Sequence, residues 1–540
     1  MQLNRLQLKE FRNLKDIEVN FSQTLEPLYS NDSLAFKSIR SHAIIGQNGM
    51  GKSNLIEALV HIFRNIDLEL PVPFDYELEY TINGNHIKVV GNKALQSRPF
   101  VWVSGEKQSQ SYLKSNENQL LPAHVFVYYS GKNERIESLF KDHQENYKKL
   151  LKNNKDDLVR RLFYCRGGHA QLVLLACMLD EKDETFRKIL DNLGIEAIES
   201  ANFVLKKPYA QRKLEELDIL EGDPRYWYTR GTVVNKFLSY LWDVAWAPIQ
   251  DTREAIVDFR RRPEKQELLY MFVPNQKALK KLGDAVGTSG RFFRYAEAAY
   301  IGDLLEEVRI KVKKRDLNGN VEFIDLSEGE LQLLTVLGLM RLTHQENCLF
   351  LLDEPDTHLN PIWKLRFFDD IENVLKQDKN DLLKGESQIF ITTHDPIMVG
   401  SLRKEQVHII RRVDETTVIE QPYEHPQGMG VTGLLKSELF GLTSTLDRET
   451  ERRLFRRNSL FAIENKTAAQ EREYEKLCNE LADLGFAKSD FKDPFYAMFV
   501  KKMAQHTRFH KPVLTPEEQV KQDRIADEII NQILMDEGEI

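Results

Sequence analysis

The sequence predicts an α/β fold assembled around a phosphate-binding loop, and three observations carry the prediction. Ala43-Ile44-Ile45 is a short apolar run suited to a buried strand, Gly46 to Ser53 fits G-x-x-x-x-G-K-[ST], and Leu55 to Phe63 continues at helical spacing. Far downstream a second apolar run, Cys348 to Leu352, closes on Asp353-Glu354. A third, Gln388 to Thr393, closes on His394. A loop between strand and helix, followed by strands that end in acids and in a histidine, is the order a nucleoside triphosphate site needs.

Each residue type in the loop has a physical reason. Gly46, Gly49 and Gly51 can adopt positive φ, which lets backbone N–H groups converge on phosphate oxygens at the positive end of the next helix. Lys52 supplies a point charge for the β and γ phosphates, and the Ser53 hydroxyl is a hard oxygen ligand for Mg2+.

Ahead of the loop, Leu3, Leu6 and Leu8 open an apolar pattern that ends at Phe11, and Ile17, Val19 and Phe21 alternate with polar residues, as two strands would. Residues 23–40 read as a surface loop. Tyr76 to Ile82 and His86 to Val90 flank Asn83-Gly84-Asn85, a hairpin signal because Asn-Gly tolerates the positive φ of a tight turn. With Phe100 to Val103 and Val125 to Tyr129 as further strands, residues 1–132 form a strand-rich N-terminal lobe. Over residues 133–305 the apolar positions, among them Leu158, Leu162 and Phe163 and then Leu172 to Leu179, follow helical spacing. That segment reads as a mainly helical insertion without a long heptad array. Val308 to Val312 alternates, Asn318-Gly319 turns and Val321 to Ile324 returns, delivering the chain to Leu326-Ser327-Glu328-Gly329-Glu330. Residues 306–424 read as a second lobe carrying this turn and the two later strands. Residues 425–540 read as a helical C-terminal extension, its last amphipathic helix running from Pro516 towards Ile533.

No apolar run approaches the ~18 residues needed to span a bilayer, and no signal-peptide core follows Met1, so a cytoplasmic protein without a membrane partner is expected. The four cysteines, Cys165, Cys177, Cys348 and Cys478, lack C-x-x-C spacing and suggest neither a zinc site nor a disulfide framework. A formal net charge of −8 argues against a chain coated with nucleic acid but leaves room for a local basic face. Arg260-Arg261-Arg262, Arg291-Phe292-Phe293-Arg294 and Arg452 to Arg457 are the clusters to follow, each equally readable as a solvated or ion-paired face.

Taken together, the ordered motifs resemble those of ABC-type ATPases, specifically the SMC and RecF-like class. Gly46 to Leu59 is similar to its Walker A loop and helix, Leu326 to Glu330 to its signature motif, Leu349 to Glu354 to its Walker B strand, Pro355 to Pro361 to its D-loop, and Thr393-His394 to its switch histidine. The opening Leu8 to Leu14 also resembles that class. More narrowly, the short insertion, Met429 to Leu435 and Phe440 to Asp447 resemble the restriction-system-associated AAA ATPases of bacterial defence loci, a group that includes the Septu anti-phage ATPases.

The resemblance implies one α/β head, an ABC-type (P-loop) ATPase with a helical insertion and a helical C-terminal extension, and ATP and Mg2+ as cofactors. It implies that Arg12, Gly46, Asn48, Gly49, Gly51, Lys52, Ser53 and Asn54 bind nucleotide, while Ser327 and Gly329 do so in trans, across a homodimer or higher homo-oligomer. Ser53 and Asp353 would hold the metal, Glu354 would orient and deprotonate the attacking water, and His394 would sense the γ-phosphate. A separately encoded nuclease is the implied partner, with DNA a further candidate. No glutamine loop is located: Gln108 and Gln110 are too weak to assign. One rival function is a RecF-type repair ATPase. The other is an intrinsic Toprim-like nuclease, for which Leu460 to Glu464 imitates the first element, but Asp490 and Asp493 have the wrong spacing for the Asp-x-Asp pair.

Overall fold

The computed structural model describes residues 1–25, 37–131, 134–152, 161–208, 216–255, 264–315, 320–343, 347–376, 387–413, 416–442, 444–463, 465–484, 521–522 and 524–530. The chain divides into two compact units, residues 1–398 with 405–420, and residues 399–404 with 421–540.

The first unit is centred on a seven-stranded sheet in the order Leu162–Tyr164, Val125–Tyr129, Leu349–Asp353, Gln388–Thr392, Ser41–Ile45, Val407–Val413, Thr416–Glu420. Neighbours run parallel except for the last pair. Leu349–Asp353, Gln388–Thr392 and Ser41–Ile45 are buried along their whole length, which is why they lack the polar alternation of a one-sided strand. Asp353 stands opposite Thr392, and Thr392 opposite Ile44, so three strands from opposite ends of the sequence finish at one level. Open parallel sheets place ligands outside such carboxyl ends.

A six-stranded antiparallel sheet, ordered Leu14–Asn20, Gln2–Phe11, Tyr76–Ile82, Asn85–Gly91, Phe100–Val103, Glu106–Gln108, forms a second layer. One apolar cluster joins Leu6 and Leu78 of this layer, Leu59 and Phe63 of the Lys52–Asp67 helix, and Leu351 of the central sheet. The helix that follows the phosphate loop is therefore anchored between layers. The hairpin turn is as expected, with φ of 48° at Asn83 and 76° at Gly84.

The segment expected to be mainly helical does carry helices, including Lys141–Lys152, His169–Leu179, Glu184–Leu193, Thr232–Val244, Gln276–Val286 and Ser289–Ile301. It also carries strands that sequence reasoning did not assign. Ile195–Lys206, Trp246–Ala255 and Glu264–Val273 join Leu305–Lys314 and Asn320–Glu322 in a five-stranded antiparallel sheet. Ile195–Lys206 hides its period behind three register shifts, and Trp246–Ala255 is an exposed edge strand containing Pro248, so neither shows clean alternation. Leu162 and Phe163, read as helical, instead form a buried strand parallel to Val125–Tyr129. Three residues are too few for periodicity to separate the two states. The strand expected through Ile324 ends at Glu322 and continues as a 3-10 turn, Phe323–Asp325.

In the second unit, Gly430–Lys436, Arg448–Phe461 and Ala468–Asp483 are helices, and residues 521–522 and 524–530 of the last expected helix are helical. Thr467 and Gln470 form a capping box on the third of these helices. Arg456 makes a bidentate pair with Glu473, Arg452 and Arg453 pair with Glu449, and Arg457 is buried, so this basic cluster is the ion-paired face of a helical hairpin. Arg260 to Arg262, Asn318-Gly319, Glu464, Asp490 and Asp493 lie outside the described residues.

Candidate active site

The phosphate loop leaves the central sheet after Ile45 and ends in the Lys52–Asp67 helix. At two positions glycine is required by space as well as by conformation. A Cβ on Gly46 would stand 2.6 Å from the Ile410 carbonyl oxygen. Gly51 has φ of 113°, and a Cβ there would stand 2.6 Å from Leu14 Cδ2. The helix carries no acidic residue of its own in its first turn. The Lys52 ammonium is buried and donates to the carbonyls of Gly46 at 2.8 Å and Gln47 at 3.4 Å. Burial lowers its pKa, an effect opposed by Glu354 and Asp353 nearby.

Asn13 is the residue that sequence reasoning missed. It sits in the turn between the first two strands, beside Arg12 with φ of 56°. Its amide donates to the Gly49 carbonyl at 2.8 Å and accepts from Asn54 Nδ2 at 2.6 Å, clamping the loop to the start of its helix. Thr417 Oγ1 donates to the Asn13 carbonyl at 3.0 Å, tying that turn to the far side of the sheet. Asn48 is exposed on the loop itself. Arg12 is bonded elsewhere: its guanidinium donates to Glu57 at 2.6 Å, one helical turn beyond Ser53. Glu57 is buried, and His61 at 3.8 Å, Arg12 and Arg135, the last at 3.0 Å, compensate its charge.

Asp353 is buried at the end of its strand. Its carboxyl pKa is raised by burial, against hydrogen bonds from the Thr392 and Ser53 hydroxyls that favour the anion. A carboxylate joined to a hydroxyl at the first turn of the loop helix is a hard-oxygen pair of the kind Mg2+ takes, so the residues fit that ion. Glu354 follows with φ of 49°, a left-handed conformation that a non-glycine residue adopts only when its surroundings enforce it. Here the enforcement comes from its N–H, which donates to the Thr392 carbonyl and to Thr392 Oγ1, both at 3.1 Å. The side chain is turned towards His394, whose Nδ1 lies 3.2 Å from Glu354 Oε1. The two acids and the histidine thus converge from adjacent strands, with Lys52 close enough for its charge to be felt by both acids.

Ser327 and Glu330 close a reciprocal cap: Glu330 N–H donates to Ser327 Oγ at 3.2 Å, and the Ser327 N–H donates to Glu330 Oε2 at 2.8 Å. Lys314 holds the other carboxylate oxygen of Glu330 at 2.6 Å. Ser327 is exposed at the start of the Glu328–Thr343 helix. Gly329 is buried against the D-loop, where an added Cβ would stand 2.4 Å from the His358 carbonyl oxygen. The D-loop is pinned from two further sides. Its His358 N–H donates to Gln332 Oε1 at 3.1 Å, and buried Asp356 accepts from Thr393 Oγ1 at 2.8 Å. The turn at Ser327 and the strand end at Thr393-His394 are therefore linked through one short, well-bonded loop.

Gln110 donates to the Pro99 carbonyl at 2.5 Å, and Gln108 ends the outermost strand of the six-stranded sheet. What borders the acids instead is Tyr129, opposite Asp353 in the register, followed by Ser130, whose N–H donates to the Asp353 carbonyl at 3.2 Å. Among the described residues no three His, Cys, Asp or Glu side chains form a further metal cluster.

Two family models match the chain. "AAA ATPase domain" covers residues 1–166 and "AAA domain, putative AbiEii toxin, Type IV TA system" covers residues 217–399. Septu protein PtuA of Bacillus mycoides is 28% identical over 130 residues, 24% of this chain and 16% of the relative. The tRNA modification GTPase MnmE of Wolinella succinogenes is 28% identical over 158 residues, 28% of this chain and 34% of the relative. The chain thus spans between about a sixth and a third of the length of these curated relatives. A solved SMC head domain from Thermotoga maritima is 14% identical, with 78% of this chain and 99% of that chain covered at a TM-score of 0.31. Likeness at that level identifies neither activity nor partners. With the phosphate loop, both acids and the histidine assembled at the carboxyl end of one sheet, and AAA models matching residues 1–166 and 217–399, the chain has a P-loop ATPase fold and contains AAA-type ATPase sequence in both segments.

Proposed function

We propose that two copies of this chain close on ATP, each phosphate loop completed by the partner's Ser327 turn, and that closure controls a separately encoded nuclease in an anti-phage defence system. The observation that carries the reading is the exposed, fully capped Ser327 turn, whose helix start is locked through Gly329, His358, Asp356 and Thr393 to the switch beside Glu354. A helix start suits a γ-phosphate, and a turn buttressed on its own switch is suited to reporting that contact. The defence role rests on the resemblance to restriction-associated ATPases and on the limited likeness to Septu protein PtuA.

In this mechanism Lys52 exchanges its loop carbonyls for the β and γ phosphates, and the loop N–H groups hold the remaining oxygens. Ser53 and Asp353 would hold Mg2+, which supplies charge neutralisation across the phosphates. Glu354, held in its strained conformation, orients the attacking water and accepts its proton, while His394, which shares a hydrogen bond with Glu354, would sense the γ-phosphate. Asn13 keeps the loop in register with its helix. Arg12 acts at one remove, by neutralising Glu57 behind the loop.

Light scattering on Glu354→Gln tests closure. With ATP and Mg2+ the variant gains mass to a dimer or beyond and returns to its starting mass when ATP is removed. A mass that does not respond to ATP contradicts ATP-driven closure.

A further inference from the structure

The five-stranded sheet of the insertion has two unlike faces. On one, Phe203, Leu269, Met271, Val308 and Ile310 are buried against helices. On the other, Val204 and Leu268 are covered, but at the end near Trp246 large apolar side chains are left in solvent: Trp246 is 65% exposed, Ile249 61% and Phe272 39%. Exposed groups of this size gathered at one place mark a binding surface, whereas single ones do not.

Register explains how they gather. Trp246 pairs with Phe272, and Ile249 with Tyr270, although three positions separate the first of each pair and only two the second. A bulge with φ of 36° at Ala247 absorbs the extra residue, so Trp246 and Ile249 point the same way instead of to opposite faces. Phe272 in turn pairs with Asn202, and Asn202 with Arg309. Trp246, Phe272, Asn202 and Arg309 therefore form one row across four strands.

The row borders cations. Arg309, Lys311 and Lys313 alternate along the Leu305–Lys314 strand on the same face and are exposed. Arg309 is paired with Glu307 at 2.6 Å, and Lys311 lies 3.9 Å from Glu322. Successive members of this column are about 7 Å apart, and the column stands two strands, or about 10 Å, from Phe272. The first spacing is close to that between phosphates of an extended single strand. The second is the reach from such a backbone to a base laid on an aromatic ring.

We propose that the exposed end of this sheet face binds single-stranded nucleic acid, with bases stacked on Trp246 and Phe272 and the backbone tracked by Arg309, Lys311 and Lys313. Aromatic platforms beside a basic track hold single strands because every base offers a flat π face. A double helix keeps its bases stacked inside and offers the rings nothing to hold. The inference is independent of the ATP-driven closure proposed above, since none of these residues lies in the phosphate loop or the Ser327 turn.

The test uses the full chain without nucleotide, a fluorescein-labelled oligothymidylate of about 20 bases to follow anisotropy, and the matching duplex as competitor. Binding of the single strand is expected to exceed that of the duplex. Trp246→Ala and Phe272→Ala each weaken it by about tenfold or more, Phe272→Tyr restores it, and Lys311→Gln with Lys313→Gln lowers the slope of log affinity against log salt by about 1.4. ATPase activity without oligonucleotide is unchanged in all four, which also shows that they fold. Equal binding of duplex and single strand, or unchanged binding by the aromatic variants, overturns the proposal. So does a fall in oligomeric mass on Trp246→Ala, which assigns the face to a second copy of the chain.

Discussion

Gly329→Ala tests whether the Ser327 turn and the switch communicate within one chain. The added methyl would lie 2.4 Å from the His358 carbonyl oxygen, roughly an ångström closer than ordinary van der Waals contact. The carbonyl cannot simply retreat, because His358 N–H is bonded to Gln332 and Asp356 two residues earlier is buried on Thr393. Overpacking of this kind costs about 1–3 kcal/mol, and here the strain falls on the loop that supports Thr393 and His394. If half of it reaches the switch, turnover falls about two- to tenfold, since 1.4 kcal/mol of barrier is a factor of ten. ATP affinity, set at the phosphate loop, changes by no more than about twofold in the same reasoning. A fluorescent ATP analogue reports binding, phosphate release reports turnover, and a thermal melt reports the strain. Wild-type turnover in a variant whose melting temperature has fallen would refute the idea that the D-loop relays this contact.

Further outcomes follow from the same geometry. Lys52→Ala removes the cation facing the β and γ phosphates and abolishes ATP binding by calorimetry while the fold survives; unchanged affinity removes this loop from the site. Glu354→Gln keeps ATP bound but lowers turnover by about 10² or more, and wild-type hydrolysis would leave Glu354 without a chemical role. Asn13→Ala frees the Gly49 carbonyl and Asn54, raising the KM for ATP more than it lowers kcat; an unchanged KM denies it the clamp. Buried His42 and His408 lie 3.1 Å apart, and burial holds the pKa of His42 well down and that of His408 at about 4. Both stay neutral in the fold while the unfolded chain protonates below about pH 6.5, so stability is present above that pH and is lost as pH falls towards 4, by about 1.4 kcal/mol per pH unit for each ring. His408→Gln should flatten this pH dependence of the melting temperature, and an unchanged slope would show that the pair does not carry it.

What could be read in advance divides along physical lines. The phosphate loop and the strands ending at Asp353 and Thr392 were legible because full burial leaves near-continuous apolar runs and because Gly-x-x-x-x-Gly-Lys-Ser has few other uses. The Ser327–Glu330 cap is a local pattern, both partners lying within one turn. The Asn13 clamp was not legible, because its partners are 36 and 41 positions away and a turn asparagine usually serves its own backbone. The insertion's sheet was hidden by register shifts, a proline and an exposed edge strand, each of which erases the alternation that marks a strand. The bond between Arg12 and buried Glu57 was not legible, because 45 positions separate the two and only the fold brings them together.

The composite site is tested most directly by mixing two inactive variants. Ser327→Arg puts bulk and charge where the partner's γ-phosphate should dock, and Lys52→Ala disables the phosphate loop of its own chain. A mixed dimer then holds one site lacking both functions and one site that is intact. With subunit exchange verified by differently tagged chains, ATPase activity absent from either variant returns in part on mixing. Mixed dimers that form and stay inactive would contradict the two-copy site.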